Sequence, residues 1–244
     1  MKKLWTMALA LCLLGGGAAF SANWIDLPGQ TGMKMDTDSY VDSGLRSSFV
    51  FEIQLNGKTT LSTIEFDREN KTYRILDSRV LDADGKVEEK ETYQQDEIWD
   101  KVTPHSFGMN LYTHFVENPL PRFTNPDWVT LYTEKSIRYQ GSSYAVERNT
   151  ISYKNGYATF WLRLSYPEKD KDFSSAIFHV KMDVPNKRIQ SLSMTTYDYE
   201  GHVRSHGAGA RVWEKISPDT PMDKIHDYIN QELLAGRIHM NSSL

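Results

Sequence analysis

Two stretches of this chain lie over one another, and that self-similarity limits the fold more than any other feature. Asp67 to Val87 aligns with Asp183 to Val203 without a gap, and seven of 21 positions are identical: Asp67/Asp183, Asn70/Asn186, Lys71/Lys187, Leu76/Leu192, Asp82/Asp198, Gly85/Gly201 and Val87/Val203. Downstream, Trp99-Asp100-Lys101-Val102-Thr103-Pro104 answers Trp213-Glu214-Lys215-Ile216-Ser217-Pro218. Upstream, Trp24-Ile25-x-Leu27 answers Trp128-Val129-x-Leu131, and Phe51-x-Ile53-x-Leu55 answers Phe160-x-Leu162-x-Leu164. Four matches in one order predict two tandem copies of a small unit, 23–116 and 128–244. Between them, 117–127 holds Pro119, Pro121 and Pro126, the composition of a semi-rigid linker or an ordered strap.

Within each copy, alternation predicts antiparallel strands. Phe178, Val180 and Met182 alternate with His179 and Lys181, and Ile64 and Phe66 alternate with Glu65 and Asp67. Asp67 to Lys71 and Asp183 to Lys187 read as turns, and Gly85 and Gly201 suit the positive-φ position of hairpins. The period then changes to helical. Thr220 can cap, Pro221 fits the first helical position, Ile225, Tyr228, Ile229 and Leu233 share a face, and Gly236 stops the helix. In copy one Ser106 is the expected cap, with Leu111 and Phe115 four apart. The expected fold class is α+β, mainly β: two tandem small antiparallel-sheet domains, each with a C-terminal helix packed on its sheet.

The chain opens with Met1-Lys2-Lys3, an apolar run Leu4 to Leu14 and small residues to Ala22, which reads as a secretory signal peptide over 1–22. Eleven apolar residues are too few to span a bilayer, so no transmembrane helix is expected after cleavage. The one cysteine, Cys12, falls inside this segment behind Leu11, without a lipobox, leaving no thiol chemistry for the remainder. Without Lys2 and Lys3, 26 basic residues face 32 acidic ones, a net charge of −6 that disfavours nucleic acid as a partner.

The run Phe66-Asp67-Arg68-Glu69-Asn70-Lys71-Thr72-Tyr73-Arg74-Ile75-Leu76, then Asp82-x-Asp84-Gly85-Lys86-Val87, then Trp99 to Gly108 leading to Leu111-Tyr112, resembles the bacterial surface-adhesin protein E family. It covers most of copy one, and copy two follows more loosely. The resemblance implies a sheet flanked by helix and suggests binding to host matrix proteins. The family often carries cysteines near Phe66 to Arg68 and near Phe115, and neither is present here.

Asp36, Asp38 and Asp42 alternate like a calcium loop, but an EF-hand needs glycine and glutamate where Val41 and Ser47 stand. Asp82-Ala83-Asp84-Gly85 and Asp198-Tyr199-Glu200-Gly201 share a turn shape that explains their carboxylates. His202 and His206 lack the helix, the intervening glutamate and the third ligand of a zinc site. His179 reads as an outward strand residue and His226 as a helix surface residue. The paired tryptophans Trp24, Trp128, Trp99 and Trp213 are expected in core or helix packing. Trp161, whose counterpart is Glu52, is expected to face away from Phe160 and Leu162 and to touch a partner, lipid or the other domain.

No nucleophile elbow or phosphate loop occurs, and no carboxylate pair is singled out. The expected function is an exported, extracytoplasmic cell-envelope or secreted binding protein of adhesin type, not an enzyme, without cofactor or metal. Its expected partners are extracellular or envelope proteins. The possible binding surface is Trp161, Asp36, Asp38, Asp42, His202 and His206. The alternatives are an extracytoplasmic enzyme with a carboxylate site between the domains and a purely structural envelope component.

Overall fold

The computed structural model describes residues 22–93, 99–135, 141–167 and 173–240, so the expected signal segment lies outside the described residues except for Ala22. The first sheet is an antiparallel meander of β1 (Trp24–Asp26), β2 (Met33–Asp42), β3 (Arg46–Leu55), β4 (Lys58–Asp67), β5 (Thr72–Leu81) and β6 (Val87–Thr92). A short β7 (Asp100–Lys101) pairs with the start of β5. Local chemistry sets its register. Asn56 and Gly57 both take positive φ, 53° and 76°, the two-residue turn whose twist matches a β3–β4 hairpin. At the β4–β5 turn Asp67 Oδ1 accepts the Asn70 N–H at 3.0 Å while Lys71 takes φ 50°.

The second sheet contains β8 (Trp128–Thr133), β9 (Ser143–Glu147), β10 (Ser152–Lys154), β11 (Tyr157–Ser165), β12 (Ser175–Asp183), β13 (Arg188–Tyr197), β14 (Val203–Ala208), β15 (Glu214–Lys215) and β16 (His239–Met240). Its neighbours run β8-β9-β11-β12-β13-β14, with β15 on the start of β13, the same order as β1 to β6 with β7. It adds β10 beside β11, joined in parallel by β16. Equivalent turns make equivalent bonds: Asp183 Oδ1 accepts the Asn186 N–H at 3.2 Å, and Lys187 takes φ 48°. Asp82 Oδ1 accepts from Asp84 and Lys86 N–H, as Asp198 Oδ1 does from Glu200 and His202.

The two helical segments differ. In the second unit, α2 (Pro221–Leu234) is fourteen residues long, capped by Thr220 Oγ1 accepting the Asp223 N–H, and Gly236 follows it at φ 65°. In the first, α1 (Phe107–Leu111) has five residues and continues as a π-helical turn, Tyr112–Val116, so the expected full helix is replaced by a short irregular one. Ser106 still caps it, accepting the Met109 N–H at 3.0 Å. Its Leu111 and Phe115 are fully buried against Phe49, Phe51, Ile64 and Phe66. In the second core Phe160, Leu162, Val180 and Met182 meet Ile225 and Ile229. Each such side chain contributes about 1.5–3 kcal/mol through burial.

Two expectations need correction. His226 is buried, 6 % exposed, and donates Nε2–H to Val184 O at 2.9 Å because its face of α2 packs on the β12–β13 turn. The paired tryptophans are half-buried and none joins either core. Trp99 lies under the Arg46 and Arg74 guanidinium groups, and Trp213 under Arg188 beside Tyr157. The strand register puts those partners on the faces opposite the helices.

Candidate functional site

The second sheet is covered on both faces. One carries α2, and the other buries Ile177, Ser193 and Thr195, of which Thr195 bonds to His206 while the Ser193 hydroxyl is buried without a hydrogen-bond partner. Residues 117–127 contain neither helix nor strand and run over this face as a strap. Leu120 is buried in the first core. Arg122 donates to Thr37 O at 3.2 Å and stands over the Tyr40 ring at 5.8 Å. Phe123 sets its ring edge-on to Trp128 at 5.2 Å and to Trp161 at 5.9 Å.

Trp161 pairs across the β11–β12 register with His179 and stacks on its imidazole, ring centroids 4.7 Å apart. It therefore faces away from Phe160 and Leu162 and touches the strap. Burial holds the His179 imidazole below its ordinary pKa, so the stacked ring is kept neutral.

His206, on the edge strand β14, is 3 % exposed and joins the two units. Its Nε2–H points at two carbonyls of the first unit and strap, His114 O at 2.9 Å and Asn118 O at 2.8 Å. Those acceptors fix the tautomer, so Nδ1 accepts the Thr195 hydroxyl at 2.7 Å. Its ring also lies 5.5 Å from that of Phe115. Beside it, His114 Nδ1 accepts the Ala208 N–H at 3.1 Å. Desolvation lowers the pKa of both imidazoles, against the two carbonyl bonds in the case of His206.

The small residues after His206 answer to packing. A side chain at Gly207 would meet the His114 ring and Pro28, and one at Gly209 would overlap the Ser191 backbone.

Next to this latch the junction opens into two adjoining hollows that share Asn23, His202 and Val203. One, of about 190 Å³, is lined among others by Asp38, Arg122, Tyr197 and His202. The other, of about 410 Å³, lies between β1 and the β14 edge and includes Trp24, Asp26, Asp198 and Arg204. Burial pushes the Tyr197 phenol up to about 12, which keeps it a neutral donor.

The structure thus brings Asp38 and His202 to one groove, with His206 buried behind it, and leaves the other candidates elsewhere. Asp42 is occupied by Arg68 at 2.7 Å and by the Gly44 N–H at 2.8 Å. Asp36 accepts the Asp38 N–H at 3.0 Å, and burial raises its carboxyl pKa. The register breaks between Asp36 and Val41, so the alternation that suggested a shared face does not persist. Trp161 is across the strap. Arg122, Tyr197, His114 and Asn118 were missed, since no local pattern marks residues that meet only when two units dock.

Residues 128–229 match the surface-adhesin protein E family model. A solved structure, protein E of Haemophilus influenzae, is similar at 15 % identity with a TM-score of 0.30, covering 46 % of this chain and 98 % of that one. No curated protein matches the chain.

Proposed function

We propose, from the match of residues 128–229 to the surface-adhesin protein E family, that this is an exported, non-enzymatic binding protein that holds extracellular matrix proteins. That match is the observation carrying the reading, and it favours a cell-surface or extracellular location. The chain is read as two diverged copies of one unit, 23–116 and 128–244; the family model matches the second, although the motifs that suggested the resemblance lie mostly in the first. The shared strand order and the equivalent Asp67 and Asp183 turns support the duplication.

The groove beside His206 is the proposed contact surface. Asp38, Arg122 and His202 offer both charge signs and hydrogen-bond donors, and Tyr197 adds an aromatic donor, a mixture suited to a polypeptide. Because the strap and His206 hold the units together, both sheets face a partner at fixed spacing, which favours engagement of two neighbouring segments of one partner. Immobilised matrix proteins probed with the purified protein test the reading. Retention weakened by Asp38→Ala with Arg122→Ala supports it, and no retention of any matrix protein sinks it.

A further inference from the structure

The first half of α2 brings together three side chains with metal-ligating atoms, remote in sequence from the junction groove. Asp223, His226 and Asp227 stand at i, i+3 and i+4, a spacing that gathers side chains on one side of a helix. One ligand atom from each lies within 4.8 Å of the others. Carboxylates near a helix start need no ion, since the helix dipole favours them there. His226 is the informative member.

The His226 ring is 6 % exposed, and its Nε2–H is committed to Val184 O at 2.9 Å. The lone pair therefore sits on Nδ1. That nitrogen is buried and has no hydrogen-bond partner. Asp227 Oδ1, at 3.7 Å, is beyond hydrogen-bond reach. Buried nitrogens left so are uncommon and ask for an occupant. An imidazole whose far nitrogen donates to a main-chain carbonyl is oriented as metal-bound histidines are.

We propose that Asp223, His226 and Asp227 bind a divalent transition cation, through His226 Nδ1 and one oxygen of each carboxylate, with water completing the shell. One imidazole with two carboxylates suits Zn²⁺ and its first-row neighbours, whereas Ca²⁺ and Mg²⁺ prefer oxygen alone. Binding asks for one local change. Asp223 Oδ1 faces Lys187 Nζ at 3.3 Å, and that half-exposed lysine has to swing away. Asp223 Oδ2 can keep its bond from the Asp219 N–H. Through the Val184 carbonyl the cation would fasten α2 to the turn between β12 and β13.

The test is calorimetric titration of Zn²⁺ into untagged, chelator-stripped protein, with the visible absorption of bound Co²⁺ as a second readout. One equivalent should bind. Asp227→Asn changes a side chain that is half exposed, so the fold should persist while affinity drops about tenfold or more, because even changes outside the ligand set cost 10–100-fold. Lys187→Ala, which frees Asp223, should tighten binding. Absence of Zn²⁺ binding at millimolar concentration, or affinity indifferent to both Asp227→Asn and Lys187→Ala, overturns the proposal. Neither variant relies on the buried His226 surviving substitution.

Discussion

His206 donates its Nε2–H to the main-chain oxygen of His114, 2.9 Å away, although 92 positions separate them in sequence. The same hydrogen is shared with Asn118 O, and Nδ1 holds the Thr195 hydroxyl, so one buried ring satisfies polar groups from both units and the strap. His206→Ala should leave two carbonyls and a hydroxyl without their partner as well as a cavity beside Phe115. The expected loss is about 2–4 kcal/mol in urea denaturation, with faster proteolysis of 117–127 as the units part. Unchanged stability would show that the junction is held by other contacts.

The same ring makes the protein sensitive to mild acid. His206, His114 and His179 all have folded pKa values lowered by desolvation, so the native state keeps them neutral while the unfolded chain takes up protons below about 6.5. Their contribution is complete above that value and is lost as pH falls from it toward the depressed folded values. The urea midpoint should be lower at pH 5.5 than at pH 7.5, and the drop should be shallower in His206→Gln. A second loss belongs to lower pH, where Asp183 and Asp223, whose pKa values are held down by partners, become protonated. A midpoint flat between pH 7.5 and 5.5 would contradict the assignment.

Trp161 separates two roles by one substitution. If its work is to anchor the strap, Trp161→Ala removes the stack on His179 and the edge contact with Phe123 and costs about 1–3 kcal/mol, with Phe123 and its neighbours more open to protease. Matrix-protein retention should then persist under conditions where the variant is folded, because the proposed groove lies elsewhere. Full stability with binding lost would instead make Trp161 the contact surface.

Much of the second unit was legible because its signals are local. Thr220, Pro221 and Gly236 bound α2 where their backbone preferences place them, and Ile225 and Ile229 face the core at the predicted spacing. Asp67 and Asp183 build the turns expected of them. What the sequence pattern left out depends on neighbours distant along the chain. His226 looks like a helix surface residue until Val184 is seen to cover it, and Trp99 looks like core until Arg46 and Arg74 lie over it. The alternation that runs from Asp36 and Asp38 to Asp42 is interrupted at Ser39, whose hydroxyl donates to Asp36 O and accepts the Val50 N–H. The groove itself forms by docking of two units, an event with no periodicity.

Gly209 offers a test of close packing at the end of β14. Its N–H donates to Leu192 O at 2.7 Å, and a Cβ built there would overlap Ser191 O. Gly209→Ala forces the chain away from β13 and should cost about 1–3 kcal/mol, read from thermal or urea unfolding. Gly201→Ala addresses a different cause, since nothing crowds that position and the penalty comes only from its φ of 89°. Equal stability of Gly209→Ala and the parent would mean that β14 can shift outward freely.

The two equivalent aspartates give the sharpest comparison between the units. Asp67 and Asp183 accept the same turn bonds from Asn70 and Asn186, but Asp183 also takes Arg188 Nη2 at 2.6 Å and is 2 % exposed, while Asp67 remains partly open to water. Removing either carboxylate undoes one turn. Removing the second also takes from the half-exposed Arg188 guanidinium its 2.6 Å carboxylate partner, beside a buried Nε that already has no partner. Asp183→Ala should therefore lower the urea midpoint more than Asp67→Ala, and Arg188→Met should recover part of that loss by taking away the unpaired charge. The reverse order of midpoints would mean that the Asp67 turn, at the start of the long β5 strand, governs folding of both units.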